Sequence, residues 1–439
     1  MTADQPAPRI AYLTAGAAGM ICGSCLRDNA LVVALTRMGV DAVLVPTYTP
    51  IRTDEADVSI DQVFYGGVNV YLQQRVPLFR YVPAFIDRWL DLPWLIRRVA
   101  ENGATPDPRI LGALTVSMLR GSQGNQRKEV DRLTRWLSET LQPDLVNFSN
   151  VLIAGSAAAI KSRLGVPIIV TLQGDDVFLD TLPQRDRDRA IGAIQELAEH
   201  VDAFVVFNRF YAEYMQDYLK LPKDRFHLIP LGINVHDFRN VPGIIQRPEN
   251  STPTIGYLAR LAPEKGLHHL VDAYIEMRRR TDAPAAKLLL AGWMGNQNRA
   301  YAEEQFQRLR DAGFADDFEY RGEVDRAGKV QFFSEIDLFS VPTIYQDAKG
   351  LYVLESLASG VPVVLPAHGS FPELIESTQG GLLCTPHDAG HLADAIQGLL
   401  LDADRRQQLA TAGRAAVTVR HSAERMAEDT LTLYRRLLE

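Results

Sequence analysis

The strand-like segments of this chain are short, β-branched and separated by helical stretches, and that alternation limits the fold more than any other feature. Arg9–Ala15 is a short apolar strand, Leu26–Met38 has helical spacing and stops at Gly39, and Asp41–Pro46 is a second strand. Asp144–Phe148, Pro167–Leu172, Ala203–Phe207 and Phe226–Pro230 continue the series. Strands that alternate with helices pair in parallel, and a parallel sheet is covered on both faces. Val241–Pro253 is polar and contains proline, which suits a linker. The rhythm then restarts with Thr254–Leu258, Lys287–Ala291, Phe318–Tyr320, Leu338–Val341 and Val361–Leu365. Helical patterns close the chain at His391–Leu401, Asp404–Val417 and Ala423–Leu438. The expected architecture is two α/β halves joined by one linker.

Composition narrows the class. With 439 residues the chain is long enough for two to three domains. A net charge of −8 gives no electrostatic reason to expect nucleic acid as a partner. Three cysteines in a chain this long make no disulfide framework and point to a reducing cytosol. Met1–Arg9 is short and polar and lacks the pattern of a signal peptide. No apolar run approaches the ~20 residues that span a bilayer, so the expected location is cytoplasmic. Tyr65–Ala100 stands apart, with Tyr71, Phe79, Trp89 and Trp94 among Arg75, Arg80, Arg88 and Arg97. Such a mixture serves as a sugar platform, a partner surface, a membrane-surface patch or a helical insertion packed on the first half. Residues 71–100 are therefore the segment for peripheral membrane contact, on the inner face.

The chemistry concentrates in a few stretches. Tyr345 to Val364 places Asp347, Gly350, a short apolar run and Glu355 ahead of an Ala-Ser-Gly-Val-Pro turn. Free N–H groups at a helix start favour anionic ligands, and Gly350 lets a ligand approach that backbone. Glu355, further into the helix, has two acceptor oxygens suited to a diol such as a ribose. The plainer alternative is a solvated acid and a packed glycine turn. Arg260 and Lys265 follow the strand Thr254–Leu258 and precede a helix. Two fixed cations there suit a leaving diphosphate, the plainer alternative being two surface cations. As cations at a rim, neither is expected to contribute to folding stability. Gly16 to Cys25 is a glycine-rich loop between strand and helix, with Gly19 and Gly23 placed to line a phosphate or acceptor. Cys22 and Cys25 form a Cys-x-x-Cys that serves either redox chemistry or packing. Gln173 lies after the strand Pro167–Leu172, where it can hydrogen-bond but not shuttle a proton. Asp175 and Asp176 read as a solvated acidic turn, not a metal site.

The Asp347–Glu355 spacing, the following Pro362-Val363-Val364 and the Arg260–Lys265-Gly266 element resemble the signature of retaining glycosyltransferases of family 4. The resemblance runs over essentially the whole chain. It departs at Asp347, where the family carries Glu, at Lys349, where an aromatic residue is common, and at Gln173 and Cys22, where the family has His and Gly. It implies the GT-B architecture: two Rossmann-like domains with parallel sheets facing a central cleft. The divisions expected are 1–240 for an acceptor domain, 241–420 for a nucleotide-sugar domain and 421–439 for a helix crossing back. It implies a retaining transfer of a hexose from a UDP-glucose-like or GDP-mannose-like donor to a small-molecule, glycan or lipid acceptor. The diphosphate falls to Arg260 and Lys265. The ribose falls to Glu355, and the base to backbone near Val324. The sugar falls to Asp347, with the backbone of Lys349, Gly350 and Leu351, and to Gln173. No cofactor and no metal are required. The rival expectations are a sugar-nucleotide epimerase and a non-catalytic sugar-nucleotide-binding protein.

Overall fold

The computed structural model describes residues 7–16, 22–66, 70, 73–74, 108–241 and 252–439. The expected site at Gly19 and nearly all of the aromatic–arginine segment 71–100 lie outside the described residues. The chain divides into two compact units, Met1–Pro230 with Met426–Glu439, and Leu231–Arg425. The change of unit falls ahead of the polar stretch Val241–Pro253.

The first unit is built on six parallel strands: β1 (Arg9–Thr14), β2 (Asp41–Pro46), β3 (Leu145–Phe148), β4 (Ile168–Thr171), β5 (Ala203–Val206) and β6 (Phe226–Leu228). Their order is β2-β1-β3-β4-β5-β6. Every residue of β3, β4 and β5 is buried, as helices on both faces of a parallel sheet require. β5 is a continuous apolar run rather than an alternating one, and β3 and β4 carry one polar residue each, Asn147 and Thr171. Tyr434, in the last helix Ala423–Leu438, donates its hydroxyl to Asn147 Oδ1 at 3.0 Å and so fixes that helix to β3.

The second unit repeats the plan with β7 (Thr254–Leu258), β8 (Lys287–Ala291), β9 (Phe318–Tyr320), β10 (Leu338–Phe339), β11 (Val363–Pro366) and β12 (Gly381–Cys384). The order is β12-β11-β10-β7-β8-β9, all parallel. Renumbered from β7, this is the doubly wound order, with its switch point between β7 and β10. Ligands in such sheets bind beyond the carboxyl ends of the strands at that point. The loops that leave β7 and β10 carry Lys265 and Asp347. Strand β12 has no counterpart in the sequence reading. Gly381 fits there because an added Cβ would lie 2.3 Å from the Val363 carbonyl oxygen.

Among the described residues no helix is long and apolar enough to cross a membrane.

Candidate active site

The loop after β7 brings a buried cation to the switch point. A single helical turn, Pro263–Lys265, ends at Gly266 with φ +72°. A Cβ at Gly266 would lie 1.7 Å from the Pro342 carbonyl oxygen, so only glycine lets this turn pass beneath the loop from β10. Lys265 is thereby 9% exposed, and its Nζ donates to Asp347 Oδ2 at 3.0 Å and to the Tyr345 hydroxyl at 2.6 Å. The ammonium also lies 4.8 Å from the ring centre of Tyr345 and 5.1 Å from that of Tyr352, within cation–π range.

Asp347 is the hub of the arrangement. Its Oδ2 accepts from Lys265, from the Tyr345 hydroxyl at 2.9 Å and from the Tyr352 hydroxyl at 2.9 Å. Its Oδ1 accepts from the backbone N–H groups of Lys349 at 2.9 Å and Gly350 at 3.2 Å. Burial alone would raise the pKa of this carboxyl, but the Lys265 charge and the converging donors outweigh it and hold it well below the usual range. For Lys265 burial is the larger influence and draws its pKa down, against the opposing pull of Asp347. The sequence reading gave Asp347 to the sugar and named none of these protein partners. Here the acid engages the lysine and the entry to the helix Leu351–Ala358.

That helix starts at Gly350, with φ +69°. A Cβ there would meet Leu374 Cδ1 at 2.7 Å. Gly350→Ala should lower the unfolding free energy by about 1–3 kcal/mol, through left-handed backbone and crowding together. Denaturant unfolding of the variant checks this; an unchanged midpoint would mean that the loop relaxes freely. One and a half turns on, Glu355 is 7% exposed and accepts from Lys329 Nζ at 2.7 Å. Only one of its oxygens takes a hydrogen bond among the described residues. Lys329 comes from the helix Arg326–Ser334, which Asp325 caps through Gly328 N–H at 2.8 Å. Val324, just ahead of it, is half-buried.

Arg260 differs from its expected twin. Its side chain is 42% exposed and pairs with Glu264 at 3.0 Å. Arg260 therefore lies at the surface, whereas Lys265, expected beside it, is driven inward by the glycine turn. Lys349 is half-buried, and Leu351 opens the helix.

In the first unit, Gly23 opens the helix Gly23–Arg37 after β1. Gln173 is 4% exposed, donates Nε2 to the Ser149 carbonyl at 2.5 Å, and leaves Oε1 unpartnered among the described residues. Asp175 and Asp176 are not solvated: they are 3% and 8% exposed. Asp175 accepts from Val151 N–H at 2.9 Å and Gln173 N–H at 2.8 Å, joining the loops after β3 and β4, while Asp176 accepts from the Tyr211 hydroxyl at 2.6 Å. Burial pushes the Asp175 carboxyl up to about 6. The Cys25 thiol is buried and raised by its hydrogen bond with Cys22 and by burial, which keeps it protonated rather than nucleophilic. Among the described residues no three His, Cys, Asp or Glu side chains are placed to hold a metal ion.

Family profiles match both halves of the chain. The profile of "Glycosyl transferases group 1" matches residues 244–416, and that of "Glycosyltransferase Family 4" matches residues 104–237. The chain belongs to the group 1 glycosyltransferases. Its two parallel six-stranded sheets form the two Rossmann-like domains of a GT-B fold. The D-inositol 3-phosphate glycosyltransferase of Nocardia farcinica is 26% identical over 388 residues, 83% of this chain and 84% of that one. The GDP-mannose-dependent alpha-(1-6)-phosphatidylinositol monomannoside mannosyltransferase of Mycobacterium tuberculosis is 30% identical over 210 residues. That match covers 45% of this chain, which spans about half, 52%, of the mannosyltransferase. Among solved structures, HepE of Anabaena in complex with UDP superposes with a TM-score of 0.70 at 16% identity, over 98% of this chain and 100% of that one.

In this group 1 glycosyltransferase the sequence reading missed Tyr345, Tyr352 and Lys329. Tyrosines two residues before and five after Asp347 were a visible signal, because a turn followed by a helix start returns both positions to the acid. Lys329 offered only a weak one, a cation within a short helix.

Proposed function

We propose that the chain transfers a hexose from a nucleotide-sugar, UDP-glucose-like or GDP-mannose-like, to an acceptor hydroxyl with retention of configuration. The observation that carries this reading is Lys265, a buried ammonium at the switch point of the second sheet with Arg260 outside it. A cation held in a low-dielectric site stabilises negative charge developing on a leaving diphosphate, at no cost in reorganisation. Glu355 offers its unoccupied oxygen to a ribose hydroxyl, and backbone near Val324 faces the base. The helix start at Lys349, Gly350 and Leu351 lies against the sugar. As the bond from the sugar's anomeric carbon to the diphosphate breaks, the acceptor oxygen bonds on the same face. Its proton passes to the departing phosphate oxygen. GDP-mannose as the donor of the mycobacterial relative and UDP in the HepE complex support a nucleotide-sugar as donor class.

The test is a thermal-shift panel of UDP, GDP and their hexose conjugates, since a ligand of the native state raises stability by mass action. Incubation of the stabilising conjugate with candidate acceptors follows, with the anomeric configuration of the product read by NMR. No stabilisation by any nucleoside diphosphate would refute the reading; inversion would refute retention alone. Turnover should also survive exhaustive chelation, because the fixed cations take the neutralising role a divalent ion would otherwise have. Activity abolished by chelation and restored by magnesium or manganese would refute that role.

A further inference from the structure

We propose that Tyr345 and Tyr352 are positioning residues that aim the Lys265 ammonium at the diphosphate and keep Asp347 as its counter-ion. The inference rests on the donor-site reading above. A lysine side chain normally samples many rotamers, and its ammonium has three donors. Here two of the three are taken, by the Tyr345 hydroxyl at 2.6 Å and Asp347 Oδ2 at 3.0 Å. Two tyrosine rings confine the nitrogen from the sides, at 4.8 and 5.1 Å. One N–H is left for a ligand oxygen. The same tyrosines consume Asp347. Each donates its hydroxyl to Oδ2 at 2.9 Å, and the backbone of Lys349 and Gly350 occupies Oδ1. A carboxylate has about four lone-pair sites, and five donors already converge on this one. Asp347 therefore sets the charge and direction of Lys265 instead of reading a sugar hydroxyl. The two tyrosines are not equivalent. Tyr345 bonds both ions of the pair, whereas Tyr352 bonds the acid alone.

Calorimetric titration with UDP and GDP, using whichever binds more tightly, tests this on Tyr345→Phe, Tyr352→Phe and Lys265→Ala. Phenylalanine keeps each ring, and melting curves check that the fold is retained. A hydrogen bond to a charged group accounts for roughly tenfold or more in affinity. Tyr345→Phe should weaken the diphosphate about tenfold, and Tyr352→Phe about threefold. The second readout is the pH profile of that affinity from pH 7 to 10.5. In the wild type affinity declines as Lys265 loses its proton. In Tyr345→Phe the decline should begin at lower pH, because the ammonium has lost an acceptor; in Tyr352→Phe it should not move down. Wild-type affinity and profile in Tyr345→Phe, or a larger effect from Tyr352→Phe, would overturn the inference. Unweakened binding by Lys265→Ala would instead overturn the donor-site reading beneath it.

Discussion

Lys265→Ala is expected to reduce turnover by two orders of magnitude or more and to destabilise the fold at the same time. The kinetic loss is that of one preorganised charge facing a leaving group. The stability loss follows from burial: Lys265 and Asp347 are 9% and 4% exposed, and their pairing distance is 3.0 Å. Removing one partner of a buried pair typically costs about 3–5 kcal/mol, because it strands the other charge. The hydroxyls of Tyr345 and Tyr352 still solvate Asp347, so the lower end of that range applies. Arg260→Ala separates the two effects. Its pair with Glu264 is 42% and 38% exposed on the two side chains and is worth about 0–1 kcal/mol. Turnover should fall while denaturant unfolding stays unchanged. Equal stability in the two variants would show that the Lys265–Asp347 pair does not act as a buried one. Unchanged turnover in both would remove the diphosphate role.

Replacing Glu355 is expected to have the second large effect, again on two measurements. Glu355 and Lys329 are both 7% exposed and bonded at 2.7 Å. Glu355→Ala removes the buried acid that Lys329 Nζ meets at 2.7 Å and should lower the unfolding free energy by about 1–3 kcal/mol. Glu355→Gln keeps an oxygen for Lys329 and should retain more of the fold, yet it removes the charge from the bond to a ribose. Charge-assisted bonds are worth roughly 1.5–3 kcal/mol, so nucleoside diphosphate affinity should fall about tenfold to a hundredfold. Lys329→Met leaves Glu355 buried without its cation, and should destabilise as Glu355→Ala does. Full diphosphate affinity in a folded Glu355→Gln would confine Glu355 to a structural pair with Lys329.

Local chemistry in the sequence determined a good deal of this protein. Mostly apolar, non-alternating runs bounded by turn residues marked β3, β4, β5 and β7, because a strand buried on both faces has no polar side to show. The helix Ala423–Leu438 was legible from its period, and Gly350 from its place between an acid and an apolar run. Strand β12 was not legible: a strand of four residues that begins on glycine, next to Gly380, carries no period of its own. Most of all, the sequence left open the partner of each charge. Lys265 meets Asp347 across 82 residues, Glu355 meets Lys329 across 26, and Asp175 meets the Val151 amide across 24. Only the tertiary structure settles these pairings: the strand order sets the loops after β7 and β10 side by side in the second sheet and those after β3 and β4 side by side in the first. Burial followed from the same step. Arg260 and Lys265 look alike in the sequence, and a glycine turn beneath the Pro342 carbonyl leaves one in solvent and draws the other into the protein, where a charge must have a partner.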